Sequence, residues 1–196
     1  MKDDLNLNAE LKRKTIHIIC SILPILYYFF LEREQIVLLS GIITILFLIG
    51  EFVRYNFKTG ASLFEKVFFP LLRKGEKTYQ LTGATYLFLS ATVTFFIFDK
   101  IYAIAAVLIL TVADSLAAIV GRSFGKINIS YKTLEGSVTF FLTSFIIINI
   151  FVPIGCIKAF GVGVILTAIE SQVFAINDNI IISISAALLL SLAATI

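Results

Sequence analysis

Apolar residues run along this chain in long, nearly unbroken stretches separated by short polar connections. Seven stretches stand out, at about 16–31, 36–53, 81–98, 101–121, 134–152, 157–175 and 179–196. None alternates apolar and polar residues at period two, so they predict helices and not barrel strands. A bilayer is crossed by about 20 mostly apolar residues. The pattern therefore predicts an all-α, polytopic integral membrane protein with about seven transmembrane helices. The longest connection, 54–80, carries a different pattern. Leu63, Phe64, Val67, Phe68, Leu71 and Leu72 recur at helical spacing, with Glu65, Lys66 and Arg73 on the other side. Such a segment, at about 61–73, predicts an amphipathic helix lying in the membrane interface or packed on the bundle, kinked at Pro70.

Composition agrees with the pattern. Of 196 residues, 59% are apolar and 15% charged, against roughly 45–50% and about 25% in an average soluble domain. Mean hydropathy is +0.98. Little chain remains outside the spans, so one membrane-embedded domain, residues 1–196, is expected, with any site built from helix ends and connections. The first stretch ends in Tyr27-Tyr28-Phe29-Phe30 without a small-residue cleavage site, and so reads as a retained span. Orientation follows from the basic residues. With the N-terminus inside, thirteen of the sixteen Lys and Arg fall in inner segments, leaving Arg33, Lys100 and Lys158 outside. The expected location is a cytoplasmic membrane in a prokaryote, or an endoplasmic reticulum-type membrane in a eukaryote. The N-terminus and the site would face the cytoplasm.

Ionisable groups in a membrane are costly and mark function by default. Here they gather at the inner ends of the spans. Asp114 lies seven residues before Gly121, about 10 Å deep at 1.5 Å per residue. Glu51 and Arg54 close the second span, Glu135 opens the fifth, and Glu170 lies five residues from the inner end of the sixth. Glu10, Arg13, Lys14 and His17 fall on one helical stripe leading into the first span, where they serve either a site or ordinary anchoring at the inner border. Gly121 and Gly125 follow Asp114 down its face, leaving room either for another helix or for a phosphate. In Lys132-Thr133-Leu134-Glu135-Gly136-Ser137, Thr133 is suited to cap the fifth span. Its free N–H groups, Lys132 and the open Gly136 would then suit an anion, and Glu135 a Mg²⁺ ion. Arg122 adds a cation nearby. Asp178 and Asn179 either complete the pocket or cap the last span. No P-loop, no H-E-x-x-H and no serine nucleophile elbow is present.

Taken in order, these residues resemble the CTP-dependent lipid-alcohol kinases: dolichol kinases, phytol kinases and CTP-dependent diacylglycerol kinases. The resemblance is carried by Glu10-x-x-Arg13-Lys14-x-x-His17, Glu51-x-x-Arg54 and Thr82-Gly83-Ala84-Thr85-Tyr86. It continues with Asp114, Gly121 and Gly125, then Lys132-Thr133-x-Glu135-Gly136, then Glu170 with Asp178-Asn179. The related phosphatidate cytidylyltransferases share the Lys-Thr-x-Glu-Gly element, but their C-terminal Lys-Asp pair and Pro-Gly-His-Gly-Gly stretch are absent here.

The resemblance implies transfer of the γ-phosphoryl group of CTP to the hydroxyl of a membrane lipid alcohol, with Mg²⁺ as cofactor. Phosphoryl transfer needs mainly positioning and charge neutralisation. Asp114, Glu135 and Glu170 would hold the metal, with Glu51 nearby. Lys132, Arg13, Lys14 and Arg122 would meet phosphate, and Asp114 could instead accept the hydroxyl proton. Polyprenol, dolichol, phytol-like alcohols and diacylglycerol all present such a hydroxyl, so the lipid stays open. No nucleic-acid partner is expected. Two alternatives remain at this point: CDP-lipid synthesis by a cytidylyltransferase, and a secondary transporter.

Overall fold

The structure, a computed structural model, describes residues 7–57, 80–129, 132–172 and 177–195. The amphipathic segment expected at 61–73 lies outside the described residues. Eight helices and one short ribbon make up what is described. They are α1 (Leu7–Ile19), α2 (Ile22–Phe29), α3 (Arg33–Asn56), α4 (Gly83–Ile97), α5 (Lys100–Phe124), α6 (Leu134–Phe151), α7 (Cys156–Glu170) and α8 (Asp178–Thr195). Between α5 and α6, β1 (Asn128–Ile129) pairs antiparallel with β2 (Lys132–Thr133), which holds Lys132 opposite Ile129.

Among the described residues four helices, α3, α5, α6 and α8, are long and apolar enough to cross a membrane, against the seven spans the pattern predicts. The differences have local causes. The first stretch is broken at Cys20–Ser21 because Pro24 has no N–H to donate and its ring crowds the carbonyl four residues back. Leu23 N–H donates to Cys20 O instead, and α2 starts afresh at Ile22. Helices α4 and α7 hold 15 residues each, about 22 Å at 1.5 Å per residue, short of the ~30 Å hydrocarbon core. At its end, α7 stops on Glu170, which is its last residue.

The core forms around α5. Every residue from Ala103 to Leu110 is buried, which fits a helix that is apolar all round. On it pack α1, α2, α4, α6 and α8. Midway, α5 carries a π-helical turn, Ile109–Ala113, which ends where Asp114 N–H donates to Ile109 O. By contrast, α3 shows Leu38, Ile42, Ile45, Leu46, Ile49 and Phe52 on its outside, as a lipid-facing helix should.

Because the helices alternate in direction, the polar termini collect at one end. There α1 meets α5, α3 meets α4, α4 meets α8, and the ribbon meets α7. The opposite end is closed more simply. Arg33 donates to Phe96 O, and Lys100 donates to Leu31 O (3.0 Å) with its ammonium 4.9 Å from the centre of the Tyr27 ring.

Candidate functional site

Three turns of α1 carry the polar stripe inward. Glu10, Lys14 and His17 are 2%, 6% and 6% exposed, far too buried for residues that only anchor a helix at a membrane surface. Arg13, on the same helix, is half-buried. Lys14 Nζ is paired directly with Asp114 Oδ2, and Glu10 Oε2 lies 3.9 Å from an Arg122 guanidinium nitrogen. Both are long-range partnerships with α5. Asp114 itself is 5% exposed and stands ten residues before the end of its helix, about 15 Å along the axis.

A second pair lies beside the first. The ribbon presents Lys132 so that its Nζ meets Glu170 Oε1 at 2.7 Å. Burial acts to lower the pKa of Lys132, but the charges of Asp114 and Glu170 outweigh it and hold the ammonium above the usual lysine range. Lys132 therefore stays protonated, in the field of both carboxylates. His17 also acts electrostatically on Asp114. One linked cluster results, containing Lys14, Asp114, Lys132, Glu170 and His17. Glu170 Oε2 is buried and has no hydrogen-bond partner among the described residues.

Glu51 and Arg54 belong to a different arrangement. Glu51 Oε2 pairs with Arg54 at 2.5 Å, while Oε1 accepts Thr82 N–H (2.7 Å) and the Thr85 hydroxyl (3.0 Å). Arg54 and Tyr55 both donate to Gln80 O, at 3.0 and 2.7 Å. Asn179 donates to Gly83 O at 2.9 Å. These groups fasten the end of α3 and the start of α8 to the start of α4. The cap of α8 is Asn177, whose Oδ1 accepts Asn179 N–H at 3.0 Å, and Asp178 is exposed.

Glu135 is turned away from the cluster. It accepts the N–H groups of Lys126 (2.9 Å) and Ile127 (3.4 Å), holding the chain that leaves α5. Thr133 caps α6 through Gly136 N–H at 3.2 Å. The three glycines make room for protein. A Cβ at Gly121 would lie 2.7 Å from Thr133 Oγ1, one at Gly125 2.2 Å from Gly121 O, and one at Gly136 3.0 Å from Ala117 O. Here α5 and α6 cross backbone to backbone, the close approach that small residues permit between membrane helices.

The expected trio of metal carboxylates does not assemble. Among the described residues, no three His, Cys, Asp or Glu groups could hold a metal ion together, and Glu135 is committed to backbone N–H groups. Asp114 and Glu170 still fit Mg²⁺. Both are buried oxygen donors linked through Lys132, Glu170 has an oxygen to spare, and Mg²⁺ beside a nucleotide takes one or two carboxylates with phosphates completing its shell.

Two features were not foreseen from the sequence. The π turn immediately precedes Asp114, and such turns recur at functional sites. Ser115 and Ser144 bury hydroxyls that have no hydrogen-bond partner among the described residues.

Fold and site define a helical protein of membrane type whose charged side chains are buried and paired at one end of the bundle. The chain is 34% identical over 185 residues to the uncharacterized protein RP860 of Rickettsia prowazekii, covering 90% of each chain. It belongs to the family of that protein. It is also 29% identical over 96 residues to CTP-dependent diacylglycerol kinase 1 of Schizosaccharomyces pombe, covering 47% of this chain and 44% of the yeast protein. No family profile and no solved structure matches the chain.

Proposed function

We propose that the protein is a lipid kinase that moves the γ-phosphoryl group of CTP to the hydroxyl of a membrane lipid alcohol. The observation that carries this reading is the pair of ammonium groups, buried Lys14 and half-buried Lys132, that meet the buried carboxylates of Asp114 and Glu170 at one end of an apolar bundle. The partial likeness to a CTP-dependent diacylglycerol kinase supports the same reading and favours CTP as the donor. Phosphoryl transfer asks a protein chiefly to position its reactants and neutralise charge. Lys14, Lys132 and Arg122 supply that charge at the polyphosphate. Asp114 and Glu170 would hold Mg²⁺, which when bound screens the phosphates.

The lipid hydroxyl oxygen forms a bond to the γ-phosphorus as the bond from that phosphorus to the β–γ bridging oxygen breaks, and CDP leaves. The hydroxyl proton goes to His17. That imidazole lies one turn beyond Lys14 along α1 and is buried beside the paired charges. Imidazole also accepts and returns protons near neutral pH.

The test is to incubate the purified protein in lipid with γ-labelled CTP, Mg²⁺ and each lipid alcohol in turn. A labelled lipid phosphate with one CDP released per transfer is expected. Formation of a CDP-lipid with release of pyrophosphate would replace this reading by cytidylyl transfer. The absence of any transfer, with solute uptake into vesicles, would replace it by transport.

A further inference from the structure

The cations a polyphosphate would need are already occupied. Lys14 is paired with Asp114 and Lys132 with Glu170, and each of these carboxylates is 5% exposed. The four charges sum to zero and lie on neighbouring elements, since Thr133, next to Lys132, packs against Gly121 on the helix that carries Asp114. Three ligands can be compared at this unit. A metal-free polyphosphate would pull both ammonium groups away and leave two buried carboxylates facing an anion. A bare divalent ion would take the carboxylates and leave two ammonium groups beside a dication. Stranding a buried charge is the costly outcome in either case. A complex of the two strands nothing, because phosphates replace the carboxylates and the ion replaces the ammonium groups.

We propose that the Lys14–Asp114 and Lys132–Glu170 pairs are exchangeable contacts that open together, the ammonium groups passing to phosphate and the carboxylates to the divalent ion. The protein therefore takes up the nucleotide and its ion as one complex and discriminates against either alone. This inference rests on the kinase reading and adds to it a mode of selection. Glu170 Oε2, buried without a hydrogen-bond partner among the described residues, is the atom on which the ion can gain a foothold before Lys132 departs.

The consequence runs against intuition for a metal ligand. Removing the carboxylate charges should strengthen binding of the metal-free nucleotide, because the lysines are then released from their partners. The experiment measures CTP binding to the detergent-solubilised full chain by titration calorimetry, once with Mg²⁺ and once with EDTA. The proteins are the wild type, Asp114→Asn, Glu170→Gln and the double variant. Wild type should bind with Mg²⁺ and weakly in EDTA. In EDTA each single variant should bind more tightly than wild type and the double more tightly still, by about tenfold or more. The enhancement by Mg²⁺ should shrink in parallel. Thermal unfolding confirms that each variant is folded, and the single variants carry the test should the double not fold.

Loss of Mg²⁺-dependent binding with no gain in EDTA would make the carboxylates plain metal ligands and overturn the exchange. Unchanged binding in both conditions, with lowered stability, would make the pairs static struts and overturn it equally. A wild type that binds no CTP even with Mg²⁺ would overturn the kinase reading itself. Normal wild-type binding without the gain in EDTA overturns the exchange alone.

Discussion

Gly136 and Gly161 both lie in helices, and the same substitution should have opposite effects at the two. A Cβ at Gly136 would stand 3.0 Å from Ala117 O, 3.1 Å from Thr133 Oγ1 and 3.3 Å from Gly121 Cα. Two of these three neighbours are backbone, which cannot swing aside, and the third is the cap of α6. Overpacking of this kind costs about 1–3 kcal/mol, and displacing the Thr133 cap adds about 1 kcal/mol. At Gly161 a Cβ meets nothing within 4 Å. There Gly→Ala should stabilise by about 0.4–1 kcal/mol, because the unfolded chain loses freedom. With roughly 2–4 °C of Tm per kcal/mol in a chain of this size, Gly136→Ala should melt several degrees below wild type and Gly161→Ala slightly above. The assay is thermal unfolding in one detergent without nucleotide. Equal melting temperatures for the two variants would refute the packing role. Gly136 would then be left as an open surface for phosphate, whose effect appears only when nucleotide is present.

Further outcomes follow from the same geometry. His17→Gln should lower kcat by about 10²- to 10⁴-fold, the usual worth of a positioned acid–base group, while the KM for CTP and the Mg²⁺ dependence stay as they are; a changed KM with normal kcat would place His17 in binding. Glu51→Ala should cost about 3–5 kcal/mol, because it leaves the Arg54 charge buried and takes the acceptor from Thr82 N–H and Thr85; a loss below about 1 kcal/mol in thermal unfolding would contradict the fastening role. Native Cys156 is exposed at the end of the bundle opposite Lys126. In intact cells an impermeant thiol reagent should therefore label Cys156, and should miss a cysteine placed at Lys126 in a Cys156→Ser background. Labelling at position 126 from outside would reverse the expected orientation.

Most helices were legible because apolar runs are a direct record of a lipid or protein surround. Arg33–Asn56, Lys100–Phe124 and Leu134–Phe151 lie within a few residues of the stretches that predict them. What hydropathy does not record is continuity. Cys20 and Ser21 are as compatible with a helix as their neighbours, and only the missing N–H of Pro24 breaks it. Of the candidate site, the residue types on α1 and Asp114 could be read, but their partners could not. An i,i+4 rule offers Lys14 to Glu10, whereas Lys14 meets Asp114 a hundred residues away. That choice is made by how α1 packs on α5. Glu135 shows the converse. A carboxylate in the first turn of a helix suits a metal, a dipole or a neighbouring loop equally well, and only the chain leaving α5 decides among them.

The π turn explains how a single aspartate can be placed so far from the polar end and still be paired. An α-helix advances 100° per residue, so one extra residue in Ile109–Ala113 turns everything after it by about that angle relative to an unbroken helix. Before the turn, Ala103 to Leu108 is buried on every side and nothing polar needs a direction. After it, one face must meet α1 through Asp114 while another meets Gly136 through Ala117 and Gly121. Those demands are separate. The ion pair fixes the face toward α1, the glycine crossing fixes the face toward α6, and the π turn lets both be satisfied without rotating the apolar half of α5 out of its own packing. The Asp114 carboxylate thus gets its direction from the backbone of a rigid core helix and not from a loop. A group that must exchange partners gains by this, because the pair can open while the helix that carries it stays in place.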